Sequence, residues 1–293
     1  MFEPFLSLLA TNEIFFLIVV AVVSLLVGSF LNVVIYRLPK MMEQEWLCEC
    51  RELLEGELKK SKTKPPSTIN LLKPDSHCPE CKAPVKAWQN IPVLSYVLLK
   101  GRCHNCKVKI PVRYPAIEIL TAICSTVVAV KFGYSMQSLI FIPITWALVA
   151  LIFIDIDKML LPDQITLPLL WLALLAATQS IFIEPVAAIF GAVFGYLSLW
   201  SVYWLFKIVT GKEGMGYGDF KLLAVIGALV GAIKLPIVIL LSSLTGAVIG
   251  IANMVFNKTE RDTPMPFGPY IAIAGWIAVL WGDEIFNWYI QFL

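Results

Sequence analysis

The chain has 293 residues, 58% of them hydrophobic and only 15% charged, with a mean hydropathy of +0.78 and a formal net charge of +2. A soluble globular domain carries roughly 25% charged residues, so the composition excludes that class and points to an integral membrane protein. The small net charge says little until it is mapped onto individual segments.

Eight apolar stretches, near 14–36, 115–131, 136–155, 160–180, 185–206, 220–233, 236–256 and 269–290, approach the roughly 20 residues an α-helix needs to cross a bilayer. The expected fold is an all-α polytopic membrane protein with about eight transmembrane helices and a small cytosolic zinc-knuckle insertion. The first stretch reads as a retained helix, because no small-residue cleavage site follows it. Within it, Asn32 after Gly28-Ser29 suits helix–helix packing and hydrogen bonding. The sixth stretch is short, with Lys234-Leu235-Pro236 as a turn into the seventh, and no internal repeat is evident. The expected organisation is a first transmembrane helix over 1–36, an insertion over 37–113 and a seven-helix membrane domain over 114–293.

The insertion divides in two. Residues 43–60 read as a helix, with Glu43, Glu45, Glu49, Glu52, Glu55 and Glu57 leading into Lys59 and Lys60, an order that complements a helix dipole. Residues 62–67 read as a linker. The second half holds Cys78-Pro-Glu-Cys81 and Cys103-His-Asn-Cys106, with 21 residues between the pairs. Two such knuckles place four thiolates tetrahedrally around zinc; the alternative, two disulfides, is disfavoured in a reducing cytosol. Four sulfur ligands leave no open position for water, so this metal is expected to hold a module of roughly 40 residues together, too small to fold well alone. Cys48 and Cys50 read as free thiols, and Cys124 as a small apolar residue. His77 and His104, the only histidines, read as loop residues. Glu118, one turn into the second stretch, reads as structural.

Lysine and arginine set the orientation. With the N-terminus outside, the inner segments 37–113, 156–159, 207–221 and 257–268 hold 15, 1, 3 and 2 basic residues, which is 21 of the 23. The chain is therefore expected to have both termini outside. Two stretches separate Asp155 from Asp219, so both acids return to the cytosolic side, one ending a helix and the other opening one.

Those acids carry the chemistry. Carboxylates in or beside a bilayer core are costly and mark functional sites. Asp155-Ile156-Asp157 closes the third stretch, where the helix dipole opposes negative charge; spacing leaves Asp155 and Asp157 both open. Asp163, beside Pro162, fits a helix start. Gly216-Tyr217-Gly218-Asp219 opens the sixth stretch, with Gly214 just before it, and these glycines let another part of the chain approach closely. A bland alternative is a flexible loop with an N-cap aspartate. Two nearby carboxyl groups sharing a proton can activate water and polarise a peptide carbonyl. The chain has no HExxH and no histidine in or near a span, so serine and zinc proteolysis lack their parts. A proton- or cation-coupled transporter with a regulatory zinc domain remains an alternative, as does a DxD that binds metal and phosphate. Pro264-Met265-Pro266-Phe267-Gly268-Pro269 is rigid enough to shape the mouth of the site.

Taken together, the motifs resemble the bifunctional type IV prepilin peptidases and N-methyltransferases of Gram-negative bacteria. The resemblance rests on Gly28-Ser-Phe-Leu-Asn-Val-Val-Ile-Tyr-Arg-Leu-Pro39, the paired CxxC knuckles and Trp88-Gln-Asn-Ile-Pro-Val-Leu-Ser-Tyr96. It continues through Arg113-Tyr-Pro115, Asp155-Ile-Asp157 with Pro162-Asp163, Gly216-Tyr-Gly-Asp219 and Pro266-Phe-Gly-Pro269, spanning nearly the whole chain. It implies a GxGD-type membrane aspartic peptidase over 114–293 with Asp155 and Asp219 catalytic, and zinc on Cys78, Cys81, Cys103 and Cys106. It further implies removal of a short basic leader from prepilins and type II secretion pseudopilins, then methylation of the new N-terminus from S-adenosylmethionine. Its setting would be the bacterial inner membrane, with a cytosolic catalytic face. No glycine-rich nucleotide loop marks an S-adenosylmethionine pocket. Membrane lipid is an expected partner, because the net +7 of segment 37–113 would repel a basic leader and suits anionic lipid. No nucleic-acid partner is expected, and the residues do not decide the oligomeric state.

Overall fold

The computed structural model describes residues 3–54, 69–257 and 265–291, and these are nearly all helical. The helices are α1 (Glu3–Thr11), α2 (Glu13–Leu54), α3 (Leu94–Leu98), α4 (Arg113–Phe132), α5 (Met136–Lys158), α6 (Asp163–Thr178), α7 (Pro185–Thr210), α8 (Tyr217–Val230), α9 (Leu235–Asn257) and α10 (Gly268–Ile290). The only β-pairings among the described residues are two isolated bridges, His77 with Pro84 and Arg102 with Lys109.

All eight expected stretches are helical, but six helices among the described residues are long and apolar enough to cross a membrane. The other two are α6, with 16 residues, and α8, with 14. At 1.5 Å per residue, α8 reaches only about 21 Å, against a hydrocarbon core of roughly 30 Å. Its shortness has a packing reason. Phe220 and every residue from Leu222 to Val230 are buried, with α6, α7 and α10 packed around α8. A helix enclosed by protein need not match the thickness of the lipid.

The chain forms two compact units, one of Ile18–Ser125 and one of Met1–Leu17 with Thr126–Leu293. In the first, α2 does not stop where the insertion was expected to begin. It runs through Pro39 as one 42-residue helix, about 63 Å long. The acidic helix expected over 43–60 is thus the far end of α2 as far as Leu54; the rest of it, and the linker at 62–67, lie outside the described residues. Arg37 reaches from α2 to the carbonyl oxygens of Asn70 at 3.1 Å and Pro74 at 2.6 Å, fixing the start of the knuckle segment. Gly28 lets α2 approach α4 closely, since a Cβ there would lie 2.8 Å from Cα of Glu118. Asn32 donates to the carbonyls of Gly28 and Tyr114, as its packing role requires.

In the second unit, the tightest contact joins α7 and α8. A Cβ on Gly191 would sit 2.0 Å from the carbonyl oxygen of Gly227, and one on Gly195 would sit 2.6 Å from that of Leu223. Gly191-xxx-Gly195 and Gly227-xxx-Gly231 are small-residue motifs that let helix backbones touch. Trp276 of α10 donates to the Thr145 hydroxyl of α5 at 3.1 Å, tying those helices together.

Candidate active site and metal centre

Asp155 lies in the last turn of α5, which Met159 ends in a left-handed conformation (φ 51°) with its N–H on the Asp155 carbonyl. Asp219 is the third residue of α8, and Gly216 takes the N-cap position, so the aspartate side chain is released from capping and turns inward. Both carboxyl groups are buried. They are close enough for the charge of Asp155 to act directly on Asp219.

What brings them together is a small set of contacts. Leu161, in the turn between α5 and α6, wedges between two glycines. A Cβ on Gly218 would lie 2.7 Å from Leu161 Cβ, and one on Gly268 would lie 3.1 Å from Leu161 Cδ1. Gly268, the first residue of α10, donates its N–H to Asp155 Oδ2 at 3.0 Å. A Cβ on Gly268 would meet that oxygen at 2.6 Å, so only glycine lets the backbone come so near. Asp219 Oδ1, by contrast, is buried with no hydrogen-bond partner among the described residues. A buried carboxyl oxygen without a partner is costly and marks a site built for something other than stability.

The other sequence candidates separate from this pair. Asp163 opens α6 and binds Lys221 of α8 at 2.7 Å through both oxygens. That ion pair joins the starts of the two helices that frame the site. Asp157 is exposed in the same last turn of α5. Glu213 and Lys207 pair at 2.7 Å across the loop that precedes Gly216. Of the proline-rich segment, Met265 to Pro269 is described, and it brings the Gly268 N–H to the site. That donor was not legible as such, since no residue type announces which backbone N–H will face a carboxylate.

The four cysteines converge. The sulfurs of Cys78, Cys81, Cys103 and Cys106 all lie within 4.8 Å of one another, and Cys78 and Cys106 are 3.8 Å apart. Zn–S bonds of roughly 2.3 Å in a tetrahedron require sulfurs about 3.8 Å apart, so the residues fit zinc. The knuckles are copies of one another. Cys78 N–H bonds to Ala83 and Cys103 N–H to Val108, while Val85 bonds back to Ser76 and Ile110 to Gly101. Lys82 and Lys107 take the same left-handed conformation, at φ 57° and 61°. The sequence carries this repeat, SHCPECKAPV over 76–85 against GRCHNCKVKI over 101–110, although it is too short to stand out in a search for domain repeats. A hydrogen bond with the Asn105 side chain, then one with the Ala83 backbone, lowers Cys81 to about 6. Backbone contacts with Cys106 and Asn105 lower Cys103 as well. For Cys106 the Val108 backbone acts in the same sense, but desolvation and the neighbouring sulfurs outweigh it and push the thiol up to about 11. Four sulfurs this close cannot all ionise without a balancing cation, and a bound metal ion deprotonates its thiols outright.

The histidines stay out of the cluster, His77 on the Asp75 carbonyl at 3.0 Å and His104 edge-on to Trp88. Cys48 and Cys50 are free and exposed on α2.

Comparison with known proteins agrees with this architecture. Residues 22–132 match the bacterial peptidase A24 N-terminal domain, and residues 142–251 match the type IV leader peptidase family. The chain is 53% identical over 291 residues to a prepilin leader peptidase/N-methyltransferase of Pseudomonas aeruginosa, covering 99% of this chain and 98% of that one. It is 53% identical to the protein of that name from Aeromonas salmonicida over 92% of this chain and 91% of that one. With the one from Legionella pneumophila it shares 47% identity, over 95% and 96%. No solved structure matches the chain significantly. With near full-length relatives at this identity, and both halves matched by family models, the chain belongs to the type IV leader peptidase family.

Proposed function

We propose that this protein is a membrane aspartic endopeptidase that removes the leader from prepilins and pseudopilins, and an N-methyltransferase that modifies the N-terminus so exposed. The observation that carries the peptidase reading is the meeting of Asp155 and Asp219, from the ends of two helices, with one oxygen held by Gly268 and another left unpartnered. Asp155, whose Oδ2 accepts the Gly268 N–H, is the ionised partner and takes a proton from the attacking water. Asp219 carries the shared proton and gives it to the oxygen of the scissile carbonyl as water adds to the carbon. Collapse of the tetrahedral adduct returns that proton to Asp219, and Asp155 passes its own to the leaving amine. The pair titrates as a unit, and like charges this close favour one shared proton.

Cysteines Cys78, Cys81, Cys103 and Cys106 hold a structural zinc, which cross-links the two knuckles. S-adenosylmethionine is the implied methyl donor. The described residues form no strand–loop–helix nucleotide cradle, so its place rests on the family relationship alone. The methyl acceptor must be a neutral amine, and an α-amino group with pKa about 8 exists at that residue only after cleavage. Cutting therefore precedes methylation. The distribution of basic residues supports a bacterial inner-membrane protein with both termini periplasmic, the acids at the cytosolic face and the basic insertion against anionic lipid. A transporter would hold its acids near mid-span, whereas Asp155 and Asp219 occupy helix ends.

Mass spectrometry of a co-expressed prepilin tests both activities, reading trimming and an added methyl group in one experiment. Asp155→Asn and Asp219→Asn are each expected to slow trimming by roughly 10²- to 10⁴-fold while the protein remains in the membrane. Trimming at the normal rate in either variant overturns the assignment.

A further inference from the structure

Three features of the Ile18–Ser125 unit lie outside the unit that holds Asp155 and Asp219. First, Glu118 is buried in α4, five residues past Arg113, and its Oε2 accepts the backbone N–H of Val93 at 2.8 Å. The Ser29 side chain on α2 bonds to the same carboxyl. Second, Val93 sits at φ 58°, ψ −48°, a conformation that β-branched residues almost never adopt and that the surroundings must impose. Third, α3, which Val93 introduces, is turned inside out. Leu94, Val97 and Leu98 share one face, at positions i, i+3 and i+4, and are 52%, 64% and 65% exposed. On the inner side Ser95 is buried, and the Tyr96 hydroxyl points to the Ile110 carbonyl. The Tyr96 ring fills the space at Gly101, where a Cβ would lie 2.8 Å from the hydroxyl. A helix facing water shows the reverse pattern.

We propose that α3 is immersed in the acyl-chain boundary of the lipid leaflet, held at that depth by Glu118 through Val93, and that it anchors the zinc-knuckle module to the membrane surface. Depth follows from α4, which is long and apolar enough to cross a bilayer. Arg113 at its start marks the headgroup level. Glu118, with its side chain directed back toward Arg113, meets Val93 about 5–7 Å further in. Interfacial helices lie about 5–10 Å into that boundary. Lys86 precedes the segment and Lys100 and Arg102 follow it, all exposed, where cations meet anionic headgroups. Tyr96 links α3 to the second knuckle on the side away from the exposed leucines and valine. The occupant of this face is therefore lipid rather than a protein partner, because a membrane helix sets its depth and basic residues flank it. The inference is independent of the peptidase assignment.

The test uses the full-length, zinc-loaded protein in nanodiscs of phosphatidylethanolamine and phosphatidylglycerol. A photo-crosslinking benzoylphenylalanine replaces Val97 or Leu98, with Ile123, exposed on α4, as the lipid-facing reference and Lys109 on the second knuckle as the aqueous one. Phospholipid adducts are expected at 97, 98 and 123 and not at 109. Labelling at 123 without labelling at 97 and 98 overturns the proposal, as do adducts at 97 and 98 to a second protein chain. Glu118→Ala is expected to reduce the adducts at 97 several-fold. Glu118→Gln, which keeps an acceptor for the Val93 N–H, restores them. An unchanged yield in Glu118→Ala removes Glu118 as the depth-setting group, and the labelling at 97 with Glu118 intact stands apart from any folding defect in that variant.

Discussion

Gly268 and Asp155 lie 113 residues apart in the chain, yet a single hydrogen bond of 3.0 Å joins them. Nothing about either residue type predicts the bond; it exists because Leu161 packs against both Gly268 and Gly218 and draws α10 onto the end of α5. Gly268→Ala would force its new methyl group against Asp155 Oδ2 and move the carboxyl away from its partner. Loss of alignment by about an ångström costs on the order of 10²-fold in rate. We expect the variant to lose that much in kcat with little change in KM, measured on a purified prepilin in detergent. The glycines of the Gly216–Asp219 motif differ in the same sense. Gly218 is required by contact with Leu161, whereas a Cβ on Gly216 would meet only Asp219 Oδ2, at 3.8 Å.

Among the elements, α8 decides the architecture. It is the shortest of the eight apolar helices and the most enclosed, because its task is to carry Asp219 into a bundle rather than to face lipid. Contact with α7 is backbone on backbone, through Gly191 and Gly227. Adding a methyl group there cannot be absorbed by a side-chain rotation, so Gly191→Ala is expected to destabilise the bundle by about 1–3 kcal/mol. Thermal unfolding in detergent would read this as a lower Tm, and an unchanged Tm would show that the helices do not touch there. The Gly-xxx-Gly spacings at 191–195 and 227–231 stand in the sequence but were not among the motifs read from it. That the two faces pair with each other was not legible at all, since several helices could have received either.

At the scale of the whole molecule, the two compact units divide the chemistry. Asp155 and Asp219 belong to the unit that holds Thr126–Leu293, and the four cysteines to that of Ile18–Ser125. Cys103→Ser is therefore expected to abolish zinc binding and open the knuckle segment to protease, while leader trimming persists. Metal analysis and limited proteolysis of the purified variant check the first part, and the prepilin assay checks the second. Full zinc content in Cys103→Ser would remove that residue as a ligand.

Hydropathy, ligand spacing and acids at membrane-helix ends are local properties of the chain, so the helical membrane class and the cysteine quartet could be read from it. So could a set of candidate acids, in which spacing left Asp155 and Asp157 both open until the family resemblance favoured Asp155. Asp163 was also expected at a helix start, and it is the first residue of α6, where its carboxylate pairs with Lys221 rather than capping the helix. It took the folded chain to show that α2 continues unbroken through Pro39, that α8 is shorter than the hydrocarbon core is thick and is buried over Leu222–Val230, and that Gly268 faces Asp155 while Asp219 keeps an oxygen with no partner among the described residues. The physical reason is the same in each case. Backbone hydrogen bonds and glycine contacts between distant segments depend on which helix faces meet, and every peptide group looks alike until packing has chosen its neighbour.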